Sequence, residues 1–167
     1  MAKKSIATYV KDGYGQVEPN HLSAQRNGQI YAQLPAAEGI DVLENGQFAK
    51  YDLAEGEVNF TGAGEWMLVY NEEKLYEEKL SRKDFALKTE DATRGIITPR
   101  LFKTNVGDIF TTNFLGDESY EEGDKLTVKG NGILTKDESA SEGMIWQVGK
   151  VYTLADGQAA AKIIRIQ

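Results

Sequence analysis

The fold class the sequence predicts is mainly β: a compact antiparallel barrel or sandwich with an extended N-terminal arm and at most one short helix. Three observations predict it. Gly is abundant at 17 residues and Pro scarce at 3, which suits many tight turns. Asn-Gly or Asp-Gly pairs stand at 12–13, 27–28, 45–46, 131–132 and 156–157, several of them between apolar stretches. Strand-like stretches of about five residues recur between these turns. At 41% hydrophobic and 10% aromatic, the 167 residues can bury a core, and their number suits one domain or two very small ones.

Residues 1–35 read as the arm. Turn signals at Asp12-Gly13, Tyr14-Gly15 and Asn27-Gly28 are mixed with isolated apolar residues, and "GQIYAQLP" alternates Ile30, Ala32 and Leu34 up to Pro35. With so little apolar content, residues 1 to about 25 are expected to pack poorly on their own body and to become ordered against a partner. Residues 36–167 read as the body, with a break at Gly95 and Pro99 where it could subdivide.

Within the body, "IDVLENGQFAKYDL" places Asn45-Gly46 between two apolar stretches and predicts a hairpin returning through Phe48 and Tyr51. In "EWMLVYN", Trp66, Leu68 and Tyr70 alternate with Met67, Val69 and Asn71. A strand apolar on both faces belongs in the centre of its sheet. Residues 72–91 are the helix candidate, from the four-residue spacing of Tyr76 and Leu80 and the dense charge. "RLFKTNVGDIFTTNFLG" turns at Val106-Gly107-Asp108. "GDKLTVKGNGILT" is the clearest hairpin, with Leu126 and Val128 opposed to Lys125, Thr127 and Lys129 before Asn131-Gly132. "MIWQVGKVYTL" and "AAKIIRIQ" are the last strands, joined at Asp156-Gly157.

Charge and composition narrow the function. The net charge is −7, while the arm carries Lys3, Lys4, Lys11 and Arg26 against Asp12 and Glu18. An acidic body argues against nucleic acid and anionic membrane as partners, and the basic arm could find an acidic one. Without cysteine there is no disulfide framework, thiolate site or thiol nucleophile. No run approaches the roughly 18 apolar residues of a membrane span, and the start "MAKKSIATYV" lacks the apolar run of a signal peptide. The expectation is a soluble chain that is not exported by the usual signal.

Catalytic chemistry is hard to place. The one histidine, His21, stands beside Asn20 in the polar arm and has no evident base–nucleophile partner. The acidic loop "DESYEEGD" holds Asp117, Glu118, Glu121, Glu122 and Asp124, but without the alternating ligand spacing of an EF-hand it reads as a solvated loop. Glu65 beside Trp66 could suggest a sugar site, yet Trp66 lies in an apolar strand and reads as core. "GAG" and "GNG" lack the trailing Lys-Ser/Thr of a phosphate loop. No metal or cofactor is expected, and the protein is not expected to be an enzyme.

The stretches "NGQIYAQLP", "VLENGQFAKYDLAEGEV", "EWMLVYNEEKLYE" and "GDKLTVKGNGILT…IWQVGKVYTLADG" together resemble the head decoration, or cement, proteins of tailed bacteriophages. The resemblance runs from about Asn27 onward and rests on turn-and-strand patterns. It implies a structural virion protein on the capsid exterior, made in the host cytoplasm, whose partner is the phage major capsid protein. Self-association stays open. It carries over no catalytic residues. On this reading the arm's Lys3, Lys4, Tyr9, Lys11 and Tyr14 are the candidate partner-binding residues. Two alternatives stand beside it: a head-fibre or carbohydrate- or receptor-binding β module, and a small β-scaffold glycoside hydrolase.

Overall fold

The computed structural model of the chain describes residues 5–71 and 85–167. Among these residues the strands are β1 Val17–His21, β2 Ile30–Tyr31, β3 Val42–Glu44, β4 Phe48–Asp52, β5 Glu57–Asn59, β6 Trp66–Val69, β7 Ala86–Lys88, β8 Leu101–Phe102, β9 Ile109–Thr112, β10 Lys125–Lys129, β11 Ile133–Lys136, β12 Trp146–Thr153 and β13 Ala159–Arg165. One α-helical turn, α1 Ala24–Asn27, ends at Gly28, whose left-handed backbone closes it, and two 3-10 turns follow β7 at Thr89–Asp91 and Thr93–Gly95.

The strands form a six-stranded sheet, β1-β9-β13-β12-β10-β11, a five-stranded sheet, β2-β8-β6-β4-β5, and a small pair, β3-β7. Every strand pairing is antiparallel. The architecture is a sandwich and not a closed barrel. β6 lies in the middle of the five-stranded sheet, as its two apolar faces require. Its Leu68 joins the main core, with Phe48, Phe102, Phe110, Leu126, Leu134 and Trp146. Its Met67 and Val69 face the other way, into a second cluster with Leu43, Val58, Ile97 and Leu101. In the main core Phe48 meets Trp146 edge-on at 4.9 Å and Phe110 at 6.1 Å. Each fully buried Phe or Leu contributes about 1.5–3 kcal/mol from burial alone, so this aromatic centre anchors the sandwich.

Three expectations need correction. The turn at Asn45-Gly46 is tight, with Gly46 at φ +92° and Gln47 N–H donating to Glu44 O at 3.2 Å, but it is no hairpin. β3 pairs with β7, and β4 pairs with β5 and β6, so the turn carries the chain between sheets. Buried polar groups hold it there: Asn45 Oδ1 accepts Asn71 N–H at 2.7 Å, and Gly46 N–H donates to Val69 O at 3.0 Å. The hairpin at Asn131-Gly132 does form, with a three-residue loop that begins at Gly130, since Lys129 opposes Ile133. Of the helix expected over 72–91, residues 72–84 lie outside the described residues. Ala86–Lys88 is strand, because Leu87 packs on the second core cluster while β7 pairs with β3.

The third correction concerns the arm. Over residues 5–25 it belongs to the body. β1 forms an edge of the six-stranded sheet, and Ala7, Val10, Leu22 and Ala24 are buried. The apolar residues are too irregularly spaced to read as a face, yet each meets a slot in the body.

Candidate functional site

The N-terminal segment is fastened by one carboxylate. Glu44, at the end of β3, is 1% exposed. Its Oε2 accepts Ile6 N–H at 3.1 Å and its Oε1 accepts Gly15 N–H at 2.9 Å, so one side chain holds both ends of a ten-residue loop, residues 6–15. Gln47 Oε1 accepts the Glu44 N–H at 3.0 Å and fixes the turn from which the carboxylate projects. Only glycine fits at position 15: a Cβ there would stand 2.2 Å from Asn45 O and 2.7 Å from Phe114 Cδ2. Between the two tethers, Tyr9 N–H donates to Leu115 O at 3.0 Å, and Ala7 and Val10 pack on Phe114.

The candidate contact residues therefore part company. Lys3 and Lys4 lie outside the described residues. Tyr9 is buried, its ring edge-on to Tyr120 at 5.1 Å, and burial pushes its hydroxyl above the usual tyrosine range. As a surface contact Tyr9 is thus corrected to a core residue. Lys11 is exposed. Tyr14 is half-buried, with Lys88 Nζ 5.7 Å from its ring centre.

Two carboxylates of the acidic loop 117–124, Asp117 and Asp124, fasten it to itself and to Lys136 of β11. Asp117 Oδ2 accepts Lys136 N–H at 2.7 Å and the Tyr120 hydroxyl at 3.1 Å, and that hydroxyl accepts Asp117 N–H at 2.8 Å. Burial drives the Tyr120 hydroxyl far above the usual tyrosine range. Asp124 Oδ2 accepts Glu121 N–H and Lys136 Nζ, both at 2.8 Å. Burial alone would raise the Asp124 carboxyl; the Lys136 hydrogen bond, the Glu121 amide and the Lys136 charge outweigh it and hold the carboxyl below the usual carboxylate range. Among the described residues, no three His, Cys, Asp or Glu converge as a cation site.

The other sequence candidates are also placed. His21 is exposed at the end of β1, opposite Ile109. Glu65 pairs with Lys103 Nζ at 2.9 Å and lies 3.9 Å from Arg165 Nη1. Trp66 is half-buried, packed against the main core with Lys50 Nζ 4.9 Å from its ring.

Sequence reasoning missed a further buried carboxylate, Asp108, 2% exposed. Its Oδ1 accepts Ser23 N–H at 3.0 Å; its Oδ2 accepts the Ser23 hydroxyl and Asn105 N–H, both at 2.9 Å. It ties the start of α1 to the β8–β9 turn. The one available signal was an acid directly after the Val106-Gly107 turn. Two adjoining surface grooves, of about 460 and 440 Å³, meet at Ile96 and Ile97. The first also holds Lys88, ion-paired with Asp91 at 3.0 Å.

The carboxylates brought to the interior are thus engaged in holding segments together. No family model, curated protein or solved structure matches the chain.

Proposed function

We propose that this protein is a structural virion component that binds the outer surface of an assembled phage capsid in many copies and bridges neighbouring capsid subunits, without catalytic turnover. The observation that carries the reading is the coincidence of two patterns. The stretches resembling decoration proteins contribute strands to both large sheets, and the N-terminal segment is tied to the body by Glu44 and Asp108. A cement protein needs a body that transmits load between subunits, and buried carboxylates that tie distant segments supply one. Weak single contacts suffice when many equivalent sites act together.

Because residues 5–25 are committed to the body, the reading puts attachment on the body surface. Val106, 67% exposed, and Ile166 project at one end of the sandwich, where Gly107 N–H donates to Arg165 O at 2.8 Å. Lys3, Lys4 and Lys11 remain the proposed basic contacts. A carbohydrate-binding module draws less support, since a sugar groove needs exposed aromatic platforms and Tyr152 is the one such aromatic among the described residues.

The test mixes purified protein with capsids that lack it and counts copies bound after sedimentation. Saturable binding to the exterior of mature shells is expected. No saturable binding, or location inside with the DNA, would overturn the proposal.

A further inference from the structure

The second half of β12 has a free edge. On one side β12 pairs with β13 throughout, from Trp146–Arg165 to Thr153–Ala159. On the other side it pairs with β10 only at Gln147 and Trp146, and residues 123–124 extend the contact to Val148 through Gly123 N–H to Val148 O at 2.8 Å and Val148 N–H to Asp124 O at 2.9 Å. At Gly149 the register slips, and no described strand continues along Gly149–Thr153. All five residues are exposed. A strand edge alternates outward N–H and C=O groups, and an extended peptide can pair with them.

The side chains along this edge define a partner. Lys150 stands directly opposite Lys162, on the face shared by Tyr152 and Ala160. Like charges directly opposite one another destabilise a strand pair. No described carboxylate forms an ion pair with either lysine. Lys162 Nζ instead lies 5.8 Å from the Tyr152 ring centre. In the same row, Lys162 is followed by Thr111 and then Glu18, two strands away at about 4.8 Å per strand, and no ion pair joins Lys162 to Glu18. Val151, 42% exposed, lies on the opposite face. The edge is therefore a positive, partly apolar strip on a chain of net charge −7.

We propose that Gly149–Thr153 is a docking edge for an extended acidic segment of a partner protein, which adds to the six-stranded sheet beside β12 and sets a carboxylate against Lys150 and Lys162. A second copy is disfavoured as the occupant, because it would bring another Lys150 to the edge. The proposal stands on the strand edge and does not rest on the capsid reading.

The probe is a capped, fluorescein-labelled hexapeptide of alternating glutamate and valine, titrated with the full chain and followed by anisotropy. Saturable binding is expected, with amide shifts confined to Gly149–Thr153 and neighbouring β13. Lys150→Glu, an exposed change whose fold is checked by circular dichroism, should weaken binding at least tenfold. The same peptide N-methylated at alternate residues should bind at least tenfold more weakly, because it cannot complete the ladder. No saturable binding would mean that Lys150 merely guards the edge, and would overturn the proposal. Equal binding by the N-methylated peptide would reduce the effect to charge attraction and also overturn it. A dimer through this edge in sedimentation would replace the acidic partner with a second copy and overturn it too.

Discussion

Gly132 and Gly130 flank Asn131 in the same loop, both have positive φ, +78° and +52°, and they should respond very differently to alanine. At Gly130 a Cβ meets nothing within 4 Å, so Gly130→Ala incurs only the left-handed backbone cost, about 1–2 kcal/mol. At Gly132 a Cβ would lie 1.7 Å from Phe48 O and 2.8 Å from Phe48 C, both backbone atoms of a buried strand. Relief requires lifting the loop off β4. That breaks the Phe48 N–H bond to Gly132 O, 2.7 Å, and the Gln47 Nε2 bond to Asn131 O, 2.8 Å. Phe48 and Gln47 are buried, and each orphaned donor costs about 1–3 kcal/mol. Adding the backbone cost gives roughly 3–8 kcal/mol for Gly132→Ala, against a total stability of about 5–15 kcal/mol for ordinary domains. Urea unfolding followed by tryptophan fluorescence reads the difference well, since Trp146 touches Phe48. Gly130→Ala should shift the midpoint slightly, while Gly132→Ala should unfold far earlier or fail to fold. Losses within about 1 kcal/mol of each other would refute the claim that the hairpin tip is seated on β4.

Three further outcomes are expected. Glu44→Gln keeps one acceptor oxygen and should leave the N–H of either Ile6 or Gly15 facing an NH2 group, at a cost of about 1–3 kcal/mol; hydrogen exchange should accelerate at those two amides and not along β12–β13, and unchanged exchange would acquit Glu44 as the tether. The Tyr9 amide should be protected in a verified monomer, and deleting residues 1–22 should cost the body more than about 3 kcal/mol, since Val10 and Leu22 leave the interior and β1 leaves its sheet; an unprotected Tyr9 with a stable truncation would restore the free-arm picture. Acid should destabilise the fold through Asp52, Asp124 and Asp137. The Glu55 amide leads in lowering Asp52, the Ser139 hydroxyl leads in lowering Asp137, and Asp124 is lowered by Lys136 and the Glu121 amide despite its burial. Carboxyls depressed in the folded state stabilise it above their unfolded value near 3.9 and lose that contribution as pH falls through the folded value. The urea midpoint should therefore hold down to about pH 5 and drop below about pH 4, with a shallower drop in Asp124→Asn; an identical acid profile in that variant would remove Asp124 from the account.

Local strand chemistry was legible because it is written in short range. The alternation through Leu126 and Val128 survives as β10, and the doubly apolar run through Leu68 and Val69 is a central strand with a core on each side. The partner of each strand was not legible. An Asn-Gly pair specifies a chain reversal through backbone conformations available to glycine, and that requirement is met equally by a hairpin and by a corner between sheets. What separates the two is where the neighbouring amides find acceptors. At 131–132 the flanking strands satisfy one another. At 45–46 the Glu44 carbonyl closes the turn locally, but Gly46 N–H goes to Val69 O and Asn45 Oδ1 takes Asn71 N–H, the latter 26 residues away, and no local pattern announces either contact.

The N-terminal segment and the candidate site failed for a related reason. Apolar content measures how much surface a segment can bury, not how many of its backbone groups find partners, and residues 5–16 are fixed largely by the latter. Ile6 and Gly15 are held by a carboxylate from β3, Tyr9 by a carbonyl beyond β9, and Gln16 by Asn113 Oδ1 at 2.7 Å. Each partner is at least 29 residues distant in sequence, so the segment reads as loose in one dimension and is bound in three. The burial of Glu44 and Asp108 was not legible for the same reason, since nothing beside them in sequence declares it. The positive edge at Lys150 was hidden in the opposite way. In isolation "QVGKVYTL" is an unremarkable strand, and its lysine matters only because β13 sets Lys162 against it while β10 ends at its first turns. In a chain where acids fold the interior and the overall charge is negative, two facing lysines on an unpaired edge are a local exception, and exceptions of that kind are where partner binding is best sought.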